Sequence, residues 1–399
     1  MNSVMETTPG GYSLILETSF TGHRAEYVRH IMRFIISERT LHRKYTFLLN
    51  EQMQNLIGDL RQSDVYEIRY ISFKNKYSNS IQNSFADWKL ISEVLKLENR
   101  YTEIIFLDID TYLILLTTRQ FKKFNFSVKG ILFEPYTHLK ERKGNFWFLV
   151  RHYLKSYFLQ KFSVLFNSDI QKIFILSDKK CIPLMNKKIK NIFYYLPDPI
   201  NNESVSIDLN QASAVLNKFA VKQSKKVLLL FGQIDSRKNL INIINAVAML
   251  PTSLKQQVHL LIAGKFNDLV KEKYITHINK YKSEISISYR DAFVTDEERE
   301  ILFQHCSIVV MPYVNFYSSS GILGHAIKYS KNVIASKEGI VGRIVKEQNM
   351  GIAVDPKNPL EIKNAVMEIL LTQRSFHYDN AQILHECSAH NFSKNLLAV

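Results

Sequence analysis

Short runs of Val, Ile, Leu and aromatic residues recur along the whole chain, each closed by a polar loop, with helically spaced stretches between several of them. Seven such runs occupy the first half: YSLILET at 12–18, KYTFLLN at 44–50, VYEIRYISF at 65–73, EIIFLDID at 103–110, VKGILFEPY at 128–136, IQKIFILSD at 170–178 and IKNIFYYLPDP at 189–199. VLLLFG at 227–232, HLLIAG at 259–264 and SIVVMP at 307–312 continue the series. Uninterrupted apolar runs of this length are what strands covered on both faces look like. Their alternation with helical patterns predicts an α/β fold of mostly parallel, doubly wound sheets. The two prolines of LPDP, at 197 and 199, cannot lie in a central strand and stop the first series. The polar stretch 200–225 after them reads as the connection between two domains.

A chain of 399 residues is long enough for two ordinary domains, each with a large core. Apolar residues make up 46%, with only 9 Pro and 13 Gly, which excludes a disordered or fibrous chain. No apolar run reaches the roughly 18–20 residues that a bilayer-spanning helix needs, and MNSVMETTPGGYS lacks the basic start and apolar core of a signal peptide. The expected location is therefore the cytoplasm. Cys181, Cys306 and Cys387 are scattered without metal-ligand spacing and fit reduced, buried thiols. Phosphate-loop, H-E-x-x-H and G-x-S-x-G patterns do not occur, nor do internal repeats.

A formal net charge of +15 asks for an anionic partner, and part of it is concentrated in one place. Segment 139–161, LKERKGNFWFLVRHYLKSYFLQK, holds six Lys and Arg against one Glu. Helical spacing places positions 151, 152, 155, 156, 160 and 161 on one polar face, opposite an aromatic face that includes Trp147, Tyr153, Leu154, Tyr157 and Phe158. Such a helix either turns its basic side to water or lies in a membrane interface among anionic headgroups. An anionic membrane surface, on the inner face of the cytoplasmic membrane, is accordingly one expected partner. Nucleic acid is not, since basic charge comes without any recognisable binding module.

Chemistry concentrates in 227–356. After VLLLFG, the loop QIDSRKN puts Arg237 and Lys238 just beyond a strand end, before the helical pattern LINIINAVAML. In an open parallel sheet that is where ligands bind. HLLIAG ends in a second glycine followed by Lys265, Thr295 with Glu298 forms a capping box, and SIVVMP runs into YVNFYSSSGILGHAIKYSKNVIAS. Small residues at a helix start let backbone N–H groups and the positive end of the helix dipole meet concentrated negative charge, as on a diphosphate. Ser318, Ser319, Ser320 and Gly321 are placed for this, with Arg237 and Lys238 as cations that stabilise a departing diphosphate.

The steps FGQIDSRKN, DAFVTDEER, VVMPY, SSSGILGHA, NVIASKEGIVG and NMGIAVDP, in that order, resemble the carboxyl-terminal half of the retaining GT-B glycosyltransferases of family 4, also called group 1. The chain looks like a divergent subgroup with an SSG loop in place of the usual glutamate motif. Where the family commonly has two glutamates eight positions apart this chain has Tyr317 and His325, and where it has an arginine after the first glycine this chain has Gln233, so that Arg237 is the candidate substitute. The resemblance implies two Rossmann-like domains facing a central cleft: 1–200 for the acceptor, 201–225 as linker, 226–375 for the nucleotide-sugar donor, and 376–399 as a terminal helix that could pack back on the first domain.

By the same resemblance the chain moves a hexosyl-type sugar, with retention and without a metal or other cofactor, from a nucleotide-diphosphate sugar to a glycan or lipid-linked acceptor in cell-surface polysaccharide synthesis. Here the nucleotide sugar is a substrate. Donor-binding positions are Gly22, Gly232, Lys265, Phe293, Ser318, Ser319, Ser320, Gly321, Ile322 and His325. Asp110 and Glu134, at strand exits, are acceptor-side candidates, although Asp108 and Asp110 could equally cap the next helix. Arg237 and Lys238 are catalytic candidates, and His23 and His138 compete for the part of a catalytic histidine. The alternative is a catalytically silent GT-B partner or glycan-binding subunit, raised by the loss of both glutamates.

Overall fold

The computed structural model describes residues 10–20, 24–38, 43–61, 63–73, 80–118, 120–141, 146–202, 208–222, 224–371, 376 and 378–397. The chain divides into two units: Met1–Lys140, Gly144–Pro199 and Cys387–Val399 form the first, Glu141–Lys143 and Ile200–Glu386 the second.

The first unit is built on β1 (Gly10–Glu17), β2 (Arg43–Asn50), β3 (Tyr66–Ile71), β4 (Tyr101–Phe106), β5 (Ser127–Leu132), β6 (Ile170–Leu176) and β7 (Phe193–Leu196). They pair in the order β3-β2-β1-β4-β5-β6-β7, all parallel. Successive side chains on a strand point to opposite faces, and here both faces are covered. Leu14, Leu16, Ile104 and Phe106 enter one core with Trp88, Ile91 and Leu95 of the helix Ser80–Glu98. Ile15, Phe47, Leu49 and Ile105 enter the other with Val28, Ile31 and Ile35 of the helix Arg24–Ser37. That double coverage is why the strand sequences are apolar throughout. The seven expected runs are all strands, and from the third onward they are shorter than expected: LDID of the fourth lies beyond β4, and β7 stops at Leu196, just before Pro197. The last helix, Ala389–Leu397, belongs to this unit and buries Phe392, Leu396 and Leu397 in the second core.

The second unit carries β8 (Lys226–Phe231), β9 (Val258–Ala263), β10 (Ile287–Arg290), β11 (Ile308–Met311), β12 (Asn332–Ser336) and β13 (Gly351–Val354). Their order is β10-β9-β8-β11-β12-β13, again all parallel. Stretch 201–225 contains the helix Leu209–Lys218, opened by an Asp208–Gln211 capping box and assigned to this unit. The Thr295–Glu298 box is formed: Glu298 N–H donates to Thr295 Oγ1 at 3.2 Å and Thr295 N–H to Glu298 Oε2 at 3.0 Å. Strand order reverses between β1 and β4 in one sheet and between β8 and β11 in the other. The carboxyl end of such a reversal is where an open α/β sheet takes its ligand.

One sequence expectation is corrected. In the helix Phe146–Leu165, Gln160 is not on an outward polar face; it is buried, accepting from Tyr136 N–H at 3.0 Å and donating to Glu134 O at 2.9 Å. The demand of the loop after β5 for hydrogen-bond partners turns it inward. Among the described residues no helix is long and apolar enough to cross a membrane.

Candidate functional site

The second unit's reversal point is assembled from the exits of β8, β9 and β11. Gly232, at φ +100°, closes β8 and donates to Ala263 O at 3.0 Å. Gly264 follows β9 at φ +144°, and a Cβ there would stand 1.9 Å from the Gly232 carbonyl oxygen, so the two exits touch backbone to backbone. Ile234 N–H donates to Lys265 O at 2.8 Å and extends the stitch. Lys265 itself is exposed, 3.3 Å from Asp291.

Asp235 caps the single turn Ser236–Lys238, accepting from Arg237 N–H at 2.9 Å. The exposed Arg237 guanidinium folds back on the same carboxylate, at 2.7 Å, and lies 5.5 Å from the Phe316 ring centroid. Lys238 turns the other way. It is buried, and its Nζ donates to Phe231 O at 2.8 Å and to the Tyr313 hydroxyl at 2.7 Å. Burial pulls its pKa down from 10.5 to about 7, against the attraction of Asp235.

Tyr313 stands just past β11, with the Ser320 hydroxyl near its phenol. Ser320 is the N-cap of the helix Gly321–Lys328, whose first amides have no partner inside the helix. A Cβ on Gly232 would lie 3.4 Å from Lys238 Nζ and 3.6 Å from Ile322 Cδ1. Gly232, Lys238, Tyr313, Ser320 and Ile322 thus meet at one place, with half-buried Ser318, Ser319 and Gly321 beside it. Phe293 is strongly exposed after β10.

Tyr317 and His325 each lean on a buried glutamate from elsewhere. The Tyr317 hydroxyl donates to Glu338 Oε2 at 3.5 Å. His325 Nδ1 is 3.7 Å from Glu300 Oε1, its ring 5.2 Å from that of Phe303. Glu300 also receives Lys328 at 2.6 Å and the Tyr329 hydroxyl; burial raises its pKa, but these partners outweigh burial and keep it below the usual range. Tyr313, Glu300 and Glu338 were invisible to sequence reasoning, because each acts through a residue distant in the chain.

In the first unit Gly22 and His23 lie outside the described residues. Asp110 accepts the N–H groups of Phe133 at 2.7 Å and Glu134 at 3.2 Å, so it holds the β5 exit and brings Glu134 beside it. Burial, with Asp108 next to it, pushes its pKa up to about 8. Arg24 bridges Asp108 at 2.7 Å and Glu17 at 3.4 Å. His138 is buried with Nε2 2.9 Å from Asp178. With the Cys181 thiol these two bring three ligand-type atoms within 4.8 Å, a grouping that cysteine spacing alone does not reveal.

Two doubly wound parallel-sheet units on one chain match the GT-B fold. The model of the family described as Glycosyl transferases group 1 matches residues 214–382, most of the second unit. WaaG, a glycosyltransferase involved in lipopolysaccharide biosynthesis, is similar in structure at 15% identity and TM-score 0.65, over 97% of this chain and 98% of its own. HepE of Anabaena, in complex with UDP-glucose, is similar at 11% identity and TM-score 0.66, over 97% and 98%. Sucrose-phosphate synthase of Thermosynechococcus elongatus is similar at 13% and 0.65, over 97% and 94%. At these identities the likeness is one of fold. A search of the curated proteins gave no match.

Proposed function

We propose that the chain is a retaining glycosyltransferase that transfers a hexosyl-type sugar from a nucleotide-diphosphate sugar to a glycan or lipid-linked acceptor of cell-surface polysaccharide synthesis, in the cytoplasm. The observation that carries this reading is the convergence of Lys238 and the start of the helix Gly321–Lys328 on Gly232. A diphosphate placed there meets one ammonium and a set of helix-start amides, which stabilise charge as the sugar–phosphate bond breaks. HepE, with its UDP and UDP-glucose complexes, supports a nucleoside diphosphate as the ligand. In this reading the acceptor oxygen bonds to the sugar on the face from which the diphosphate departs, and the departing diphosphate takes the acceptor's proton, which gives retention. Arg237 joins only after leaving Asp235, and Asp110 and Glu134 serve the acceptor.

The test is a thermal-shift screen of nucleoside diphosphates and their sugars, followed by turnover of any hit. One sugar nucleotide that raises the melting temperature and is consumed supports the proposal; no shift across the panel overturns it. Turnover that survives EDTA is expected, because Lys238 and the amides carry the leaving-group charge. The second reading, a silent partner, is favoured by the Arg237–Asp235 pair and by the tyrosine and histidine at 317 and 325. Binding without consumption would select it.

A further inference from the structure

The helix Phe146–Leu165 is apolar on two sides: Val164 is buried and Tyr153, Tyr157 and Leu159 pack against the same core, while its outer side, which an ordinary surface helix keeps polar, carries large apolar side chains as well. Gln160 and Ser163 are also buried along its inner side, and the Ser163 hydroxyl donates to Leu113 O at 2.6 Å. Trp147, Leu154, Phe158, Phe162, Leu165 and Phe166 are exposed along its outer side, Trp147 at 77% and Phe166 at 56%. Steps of four residues stack the rings into a ridge: Phe158 and Phe162 lie 5.7 Å apart, Phe162 and Phe166 5.3 Å. Arg151 and Lys155 are exposed within the same stripe. Residues 146–166 contain three Lys and Arg and no Asp or Glu.

We infer that this outer face docks on an anionic lipid bilayer. Large aromatic side chains in water are unfavourable unless something covers them, and a contiguous patch of them marks an interaction site. The occupant follows from the chemistry around the patch. Cations interleaved with aromatic rings on one helix match the boundary between anionic headgroups and acyl chains, where rings enter and ammonium or guanidinium groups stay at headgroup level. An apolar protein partner would leave Arg151 and Lys155 without counter-charge. The net charge of +15 favours approach to the same surface. The inference does not depend on the transferase reading, since lipid binding is measured without donor or acceptor.

The chain has two tryptophans, Trp88, which is 2% exposed, and Trp147. A change in emission on adding vesicles therefore reports Trp147. Full-length protein is mixed with vesicles of phosphatidylcholine alone, or containing about a third phosphatidylglycerol, and both sedimentation and emission are followed. Binding to the anionic vesicles with a blue shift is expected, with little binding to the neutral ones. Phe158→Ser with Phe162→Ser should lower the partition coefficient ~10-fold or more, and Arg151→Gln with Lys155→Gln about 5-fold per charge. Leu269→Ser, at an exposed leucine of the other unit, should leave it unchanged. Absence of binding and of any blue shift in the unaltered protein overturns the inference, as does unchanged binding by both double variants with wild-type melting curves. A lipid-free dimer that Phe158→Ser with Phe162→Ser disperses would assign the face to a second copy and overturn it equally.

Discussion

At the scale of single residues the site turns on Lys238. Its ordinary pKa of 10.5 is brought to about 7 by burial, so at pH 8 the ligand-free amine is mostly neutral. The unfolded chain binds more protons than the folded one between pH 7 and pH 10.5, and this group's contribution to stability therefore rises with pH across that window. A diphosphate beside the amine favours the charged form. Binding of UDP at pH 8 should consequently take up roughly 0.5–0.9 proton per site, read by calorimetry in buffers of different ionisation enthalpy. Lys238→Met should abolish that uptake and weaken UDP about 10–100-fold, the loss of one charge-assisted contact. Lys265→Ala, at an exposed side chain already paired with Asp291, should change binding less than 3-fold or so. Equal effects of the two would contradict the role given to Lys238. Sequence spacing located Lys238, because a cation just past a strand end needs no long-range information. It did not show the Tyr313 hydroxyl on its amine, since Tyr313 is 75 residues away and only the β8–β11 pairing brings it close.

At the scale of elements, strands were the most legible part, because burial on both sheet faces imposes an apolar run that no loop needs. Their ends were less legible: Leu107 and Ile109 are buried and apolar although they lie past β4, so composition alone carries the strand too far. The helix Phe146–Leu165 was legible as a helix but not in its facing, which is set by the backbone groups that Gln160 and Ser163 satisfy. The β8 and β9 exits give a test of how much the site depends on backbone contact. Gly58→Ala meets no atom within 4 Å and carries only the left-handed backbone cost, about 1–2 kcal/mol. Gly264→Ala adds a Cβ 1.9 Å from the Gly232 oxygen, an atom of fixed backbone. It should lower the melting temperature of the second unit more than Gly58→Ala lowers that of the first, and remove the thermal shift with UDP. A Gly264→Ala protein that still binds UDP normally would show that the stitched exits are not part of the ligand site.

At the scale of the molecule, the chain leaves the first unit at Pro199 and returns to it at Cys387, so its carboxyl terminus completes a core begun at β1. The helix Ala389–Leu397 packs Phe392 against Tyr27, with ring centroids 5.2 Å apart, and Leu397 O accepts from Lys129 Nζ at 3.4 Å. Lys129 also pairs with buried Glu103 at 2.8 Å, so this one helix closes an apolar core and a polar network together. Burial of Phe392, Leu396 and Leu397 contributes about 1.5–3 kcal/mol each, comparable in sum to the whole margin by which a domain is stable. Deleting 387–399 should therefore unfold or strongly destabilise the first unit. The second unit holds none of those side chains and should keep its own transition, together with its response to UDP. Calorimetry would separate the two: the intact chain melts at higher temperature in its first unit, and truncation removes or lowers that transition alone. If both transitions fell together, stability would be shared between the units, and the terminal helix would support the β8 and β9 exits as well as the first unit's sheet.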